Sequence, residues 1–479
     1  MDFLGLRNLT NIDNSIKLIR RNNPSFILPR TFDDDATFRM IASGDVAGVF
    51  QLDSEGMRKV LMELKVSNFN DLASTLALYR PGPMAMIPHF IARKFGQEKV
   101  SYPHPDLKEI LKETYGTIVY QDQIMLIARK FAGYSLGKAD ILRRAVSKKK
   151  LEVLQNERTS FVESSIKQGY DSKTAEDIYN YIVKFASYGF NKAHTIAYAK
   201  VSYLTAYLKC HYPNYYLATL MTSSIGSDTD IKLYYHEAIK RGIGIQGPSI
   251  NDSVDEFIIK DNKILFPLSL IRGLGSVKVC DICNERNTRK FSSFDDFIKR
   301  TSSILTTNLI ENIIYSGALD EFGLTKKAMI ESYNAIINQM SYDFISNIIP
   351  IQYTDEEYGY GILLEQEKKV IGLNLKYSFI NQYLPLYKEL GLISINKISD
   401  NMNVSTIGYI ESINVIKTKN NTDMAFMKLA DDVSSIELTL FPDIYAKYHF
   451  VEAGQLIIVK GHTQKRKNIQ IIVEEIKNI

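Results

Sequence analysis

Cysteine is scarce. Cys210, Cys280 and Cys283 are the only three in 479 residues, too few for a disulfide framework. Cys280-Asp-Ile-Cys283 has CxxC spacing, but no second cysteine or histidine pair follows, and a structural zinc needs four ligands. The pair is therefore expected as two thiols on a helix. Long apolar runs are absent as well. Nothing approaches the roughly 18 residues of a membrane-spanning helix, and no signal-peptide pattern opens the chain, so a cytoplasmic protein without a membrane partner is expected. Bulk charge is small: a net +4 excludes a wholesale polyanion binder, so any nucleic-acid surface must come from local clusters.

What is there is a folded chain, with 45% apolar and 23% charged residues. It is too long for one core, and about two to four domains are expected. The pattern is mainly α-helical from residue 8 to 240, with apolar residues at three- and four-residue spacing over 123–131, 152–168, 174–186 and 193–210. Breaks fall at Arg80-Pro-Gly-Pro83, Tyr102-Pro-His-Pro105, Gly133 and Tyr212-Pro213. Shorter elements fill 241–330, and 331–365 reads as an aperiodic connector. From 404 to 479 the character changes to β-rich runs at 406–410, 426–430, 436–441, 455–461 and 470–474. Five short strands at this spacing predict a small β-barrel, an OB-fold first among the choices.

Two constellations carry chemistry. Arg143, Arg144, Lys148, Lys149 and Lys150 put five cations into eight residues. Arginine's planar fork suits bidentate phosphate binding, while Asp140–Arg144 pairing on a solvated helix face is the plain alternative. Tyr188-Gly-Phe-Asn-Lys-Ala-His194 gathers aromatics, an amide, an ammonium and an imidazole around one glycine. If a helix runs on from there, Asn191, Lys192, Thr195 and Tyr198 fall on one side, and Ser187, Asn191, His194 and Tyr198 make an overlapping stripe, a surface able to stack a base and hold phosphates, with Phe190 and Tyr203 better suited to core packing. Arg80 sits in a rigid turn within a basic surface. Ile271-Arg-Gly-Leu-Gly-Ser276 has the look of a helix-hairpin-helix hairpin, with Arg272, Gly273 and Gly275 placed to bring backbone N–H groups to a phosphate. Asp33-Asp-Asp35 reads as a helix N-cap rather than a metal site. Asp2, in the strand-like Met1-Asp-Phe-Leu-Gly-Leu6, is the carboxylate best placed for a metal, without an evident partner.

These motifs, in this order, resemble the catalytic alpha subunits of bacterial DNA polymerase III, the C-family replicative polymerases, in their DnaE type. The matching stretches include Met1-Asp-Phe-Leu-Gly-Leu6, Gly48-Val-Phe-Gln-Leu-Asp-Ser54, Tyr79-Arg-Pro-Gly-Pro83, Tyr115-Gly-Thr-Ile-Val-Tyr-Gln-Asp-Gln123, Ala139-Asp-Ile-Leu-Arg-Arg-Ala145 and the 188–194 heptapeptide. The resemblance implies a last palm strand at 1–10, helical fingers at 11–240, tandem helix-hairpin-helix at 241–330, a connector at 331–403 and an OB-fold at 404–479. It implies that Arg143 and Arg144 meet the dNTP triphosphate, and that Tyr188, Asn191, Lys192 and His194 line the nucleotide pocket. Primer-template DNA would lie on Arg80, Lys148–Lys150, the 271–276 hairpin, and Lys417 and Lys419 of the barrel. The sliding clamp would take Gln339-Met-Ser-Tyr-Asp-Phe344, with Gln339, Tyr342 and Phe344 as anchors, and a clamp loader or other replisome subunits would be further partners. Asp2 matches one of three palm aspartates that hold two Mg²⁺; the Pro-Asp-x-Asp pair is not in the chain, so the chain alone is expected not to polymerise. A non-enzymatic DNA- and clamp-binding module is the rival reading, for which the 143–144 and 188–194 nucleotide grip has no use.

Overall fold

The computed structural model describes residues 5–148, 151–186, 189–340, 351–378, 383–418, 420–431, 434–465 and 468–478. The chain divides into two compact units, Met1–Ser223 and Ser224–Ile479.

The first unit is helical among its described residues: α1 (Arg7–Asn22), α2 (Asp35–Ala42), α3 (Glu55–Leu64), α4 (Phe69–Leu78), α5 (Ile87–Lys94), α6 (Lys108–Leu111), α7 (Gln121–Ala132), α8 (Leu136–Lys148), α9 (Leu151–Lys167), α10 (Ser172–Ala186), α11 (Lys192–His211) and α12 (Pro213–Ser223). Local chemistry sets the boundaries. Asp34, Ser54, Asn68 and Asn191 each accept a first-turn backbone N–H as N-caps, and Gly133 ends α7 in the left-handed region at φ 62°. The Asp33–Asp35 run is indeed a capping segment. Apolar cores result, two of them as follows. In one, Phe38, Ile41, Leu61 and Leu72 of α2–α4 close on Ala199, Tyr203 and Ala206 of α11. In the other, Ile124, Ile127 and Phe131 of α7 pack with Leu142, Phe161, Ile178 and Ile182 of α8–α10. From Val201 to Cys210 no residue of α11 is exposed, and Lys209 is fully enclosed, its ammonium 3.0 Å from the Asp45 carboxylate and 2.9 Å from the Ala47 carbonyl. A buried ammonium needs such partners, and these two pin the 45–51 loop to α11.

The second unit begins with α13 (Asp228–Lys240) and a small sheet of β1 (Ile245–Gln246), β2 (Ile258–Lys260) and β3 (Lys263–Leu265), ordered β1-β3-β2. Asp261 and Asn262 turn the β2–β3 hairpin with φ of 48° and 59°, the left-handed values these two residue types tolerate. Then come α14 (Ser276–Thr288), α15 (Phe294–Thr301), α16 (Thr307–Tyr315), α17 (Lys326–Met340), α18 (Tyr360–Ile371) and α19 (Leu384–Glu389). Cys280 and Cys283 lie on α14, free thiols on a helix. The supposedly aperiodic 331–365 stretch contains most of α17 and the start of α18. Buried Ala328, Met329, Tyr333 and Ile336 carry a helical period there, masked in the sequence by the asparagines on the outer face. Gly372, at φ +84°, ends α18, and the buried Glu367 carboxylate accepts the backbone N–H groups of Leu375, Lys376 and Tyr377 at 3.0 to 3.1 Å.

The C-terminal part is a closed barrel of β4 (Asn403–Lys417), β5 (Asp423–Ala430), β6 (Ser435–Leu440), β7 (Leu456–Lys465) and β8 (Ile469–Asn478), in the order β4-β5-β6-β8-β7. All pairings are antiparallel except β6 with β8, and α20 (Pro442–Tyr448) links β6 to β7. This is an OB-fold. Strands approach so closely that a Cβ on Gly461 would sit 2.1 Å from the Ile472 carbonyl oxygen.

Candidate functional site

In the first unit, residues 119–121 and 189–190 run side by side. Tyr120 and Phe190 form a parallel β-bridge, with Phe190 N–H donating to the Val119 carbonyl (3.0 Å) and Gln121 N–H to that of Phe190 (2.8 Å). Each segment then enters a helix: the first α7, the second α11. Parallel entry sets two helix N-termini next to each other, where unsatisfied N–H groups and both dipoles favour negative charge. Cross-links hold them in register. Lys192 N–H donates to Asp122 Oδ2 (3.2 Å), and Gln121 Nε2 to the Gly189 carbonyl (3.2 Å). The Tyr120 ring is buried under this junction, its hydroxyl pushed up to about 12 by burial.

Cations and aromatics surround the pair. Arg143 of α8 donates to Gln121 Oε1 at 2.9 Å and to Asp140 at 2.7 Å, and Arg144 reaches the other Asp140 oxygen at 2.7 Å. The hydrogen bond from Arg143, with both arginine charges behind it, holds the Asp140 carboxyl below its ordinary range. Lys192 pairs with Glu113 at 2.6 Å and lies 5.4 Å over the Tyr120 ring. The Arg80 guanidinium stacks 3.9 Å over the Phe190 ring, and burial lowers its pKa. From Phe190 an aromatic ladder climbs α11: His194 at 5.4 Å edge-on, Tyr198 at 4.2 Å from His194, and Phe50 at 5.3 Å from Tyr198. Asn191 caps α11, accepting the His194 N–H at 3.0 Å.

In the second unit, Gly273 takes φ +83° in the 271–275 loop and Gly275 is the N-cap of α14, so this helix starts as the hairpin reading expects. Arg272 is exposed and pairs with Asp228 at 3.3 Å. On the barrel, Phe426, Asn414, Ser412, Lys428 and Gln470 line an open groove of about 780 Å³. Lys417 sits at the end of β4, paired with Asp423 at 3.0 Å.

Three families match along the chain: the bacterial DNA polymerase III alpha subunit finger domain over residues 8–169, the helix-hairpin-helix motif over 242–329, and the OB-fold nucleic acid binding domain over 404–479. Proteins named DNA polymerase III subunit alpha align with all or nearly all of it. Those of Borreliella burgdorferi and Bacillus subtilis are each 38% identical, over 100% and 99% of the chain and 44% of their own length. That of Staphylococcus aureus is 36% identical over 100% of the chain and 46% of its own length. The chain belongs to the DNA polymerase III alpha subunit family. It spans less than half the length of these curated family members.

Against the resemblance to that family, the structure brings Arg143, Asn191, Lys192 and His194 together around one junction, with Arg144 on the same Asp140. Arg80, expected on the DNA surface, stacks on Phe190 within the cluster. Gln121 and Glu113 went unnoticed in the sequence; Gln121 lies inside the recognisable 115–123 motif, but its link to Arg143 is visible only in three dimensions. Gln339 lies on α17 beside a small cavity shared with Ser332 and Ile351. Asp2, Lys149, Lys150, Tyr188, Tyr342, Phe344 and Lys419 lie outside the described residues, as does the side chain of Lys148. No group of three or more histidines, cysteines or carboxylates among the described residues is arranged to hold a metal, so the Mg²⁺ pair of polymerase chemistry does not fit them.

Proposed function

We propose that this chain supplies the nucleotide-gripping fingers, the duplex contacts and the single-strand surface of a template-directed DNA polymerase. The observation that carries the reading is the Tyr120–Phe190 bridge, which aligns the N-termini of α7 and α11 beneath Arg80, Arg143 and Lys192. An incoming dNTP would set its triphosphate against these helix starts, competing with Asp140 and Glu113 for the cations, while the exposed His194 ring and Tyr198 offer a stacking face to the base. The 271–275 loop would present backbone N–H groups to a duplex phosphate, and the barrel groove would receive single-stranded template on Phe426. The sliding clamp would take the 339–344 segment, with Gln339, Tyr342 and Phe344 as its anchors. Polymerisation itself runs through metals that the described residues do not hold, so the part assigned to this chain is to bind and orient.

The test is an equilibrium titration of the 479-residue chain with a fluorescent dNTP analogue. Arg143→Ala and Lys192→Ala are each expected to weaken binding about tenfold or more, the scale of a lost charge-assisted hydrogen bond. A chain that binds DNA but no dNTP would sink this reading in favour of a non-enzymatic DNA-binding module.

A further inference from the structure

A separate cavity of about 210 Å³ lies in the second unit, where α13, the C-terminal end of α18 and strands β4 to β6 meet. We propose that it is a phosphate subsite, holding one phosphodiester of a single strand that lies along the barrel face. The inference rests on the single-strand reading of the barrel given above, and extends it onto helices outside the barrel.

Three observations carry it. The first is charge. Lys232 of α13, Lys368 of α18 and Lys428 of β5 converge on the cavity from three elements far apart in sequence, against the carboxylates of Glu411 and Asp431. Lys428 is paired with Glu411 at 2.7 Å, Asp431 accepts the Ser434 N–H at 2.7 Å, and Lys368 lies 4.5 Å over the Tyr409 ring. Lys232 makes no hydrogen bond or ion pair with any described residue. The lining therefore carries an excess of one positive charge, with an uncommitted ammonium at its edge. Lysine serves phosphate well as a point charge.

The second observation is an orphaned donor-acceptor. His236 lines the same cavity, and its Nδ1 is buried without a hydrogen-bond partner. A buried polar atom that the protein leaves unpartnered takes its partner from water or from a bound ligand. Burial pushes the His236 pKa down, so the ring is neutral at physiological pH and has one N–H to give to an anion.

The third is continuity. Lys428 and Ser435 line both this cavity and the larger groove that holds Phe426 and Asn414. A strand stacked on Phe426 would pass over Lys428 to reach Lys232 and Lys368. The volume of about 210 Å³ admits a phosphate with a few waters, each water needing about 30 Å³.

Fluorescence anisotropy of the full 479-residue chain with a labelled oligo-dT of about 16 nucleotides tests this. The double variant Lys232→Gln/Lys368→Gln should weaken binding severalfold and reduce the salt slope by about 0.7, the value for one lost single-strand phosphate contact. Lys232→Arg should retain the affinity. Phe426→Ala should weaken binding by about fivefold or more, with little change in slope. If Phe426→Ala weakens binding while the double variant leaves affinity and slope unchanged, the subsite is wrong and the barrel reading stands. If the chain binds no oligo-dT, both fall. Inorganic pyrophosphate identifies the anion's source: binding to the chain that is lost in the double variant, with oligo-dT binding unaffected, would assign the cavity to a free anion and overturn the strand assignment. Both substituted lysines are at the surface, and a thermal melt confirms that the variants fold.

Discussion

Asp140 is a carboxylate in the middle of a cationic cluster, and its effect there is twofold. By holding Arg143 and Arg144 at 2.7 Å it fixes two flexible guanidinium groups, yet it also cancels part of the charge that a triphosphate would meet. Arg144 is about two-thirds exposed, so the pair it forms is weak, and the field effect outweighs the positioning effect. Asp140→Asn is accordingly expected to tighten dNTP binding about two- to fivefold, with a steeper dependence on salt. Titration with the fluorescent analogue at two salt concentrations checks both, and weaker binding at low salt would mean that orientation dominates. The hydrogen bond from Arg143 holds the Asp140 pKa below its ordinary value, so its charge does not vary around neutral pH.

Among the elements, α11 does the most. Its start supplies one of the two aligned N-termini, its middle carries the aromatic ladder, and its end buries Lys209. Asn191→Ala removes the side-chain cap and should cost about 1 kcal/mol of stability in the first unit, read as a lowered denaturation midpoint with unchanged m-value. An Asn191→Ser variant, which can still cap, should recover most of it. The sequence made α11 legible: periodicity from 193 to 210 against Lys192–His211 observed, because apolar spacing persists to both ends. Strand positions in the barrel were equally legible, but their lengths were not. The outer half of β4, from Glu411 to Lys417, is mostly exposed and pairs with β5 as a two-sided ribbon, so no in-out alternation marks it. Strands of two and three residues, as in β1 to β3, are too short to express any period. The Arg80–Phe190 stack and the Tyr120–Phe190 bridge were illegible for another reason, since nothing local to either partner encodes the other.

For the molecule as a whole, the proposed nucleotide grip and a metal centre do not coincide among the described residues. The described residues gather cations and helix N-termini, but no carboxylate cluster that could hold two metals. The 479-residue chain should therefore bind a dNTP without extending a primer in Mg²⁺; robust extension in a gel assay would refute that. The bridge joining Val119–Gln121 to Gly189–Phe190 also has a bearing on biosynthesis. Asp122 and Lys192 stand 70 residues apart, with α8, α9 and α10 made in between. Bacterial or slower translation adds about 5–20 residues per second, so the first strand waits on the order of 4–14 s for its partner. During that interval the backbone donor of Gln121 and the carbonyl of Val119 are open to other strands. The newborn chain thus passes through a window of exposure to mispairing, set by the timing of synthesis rather than by the energy of the finished contacts.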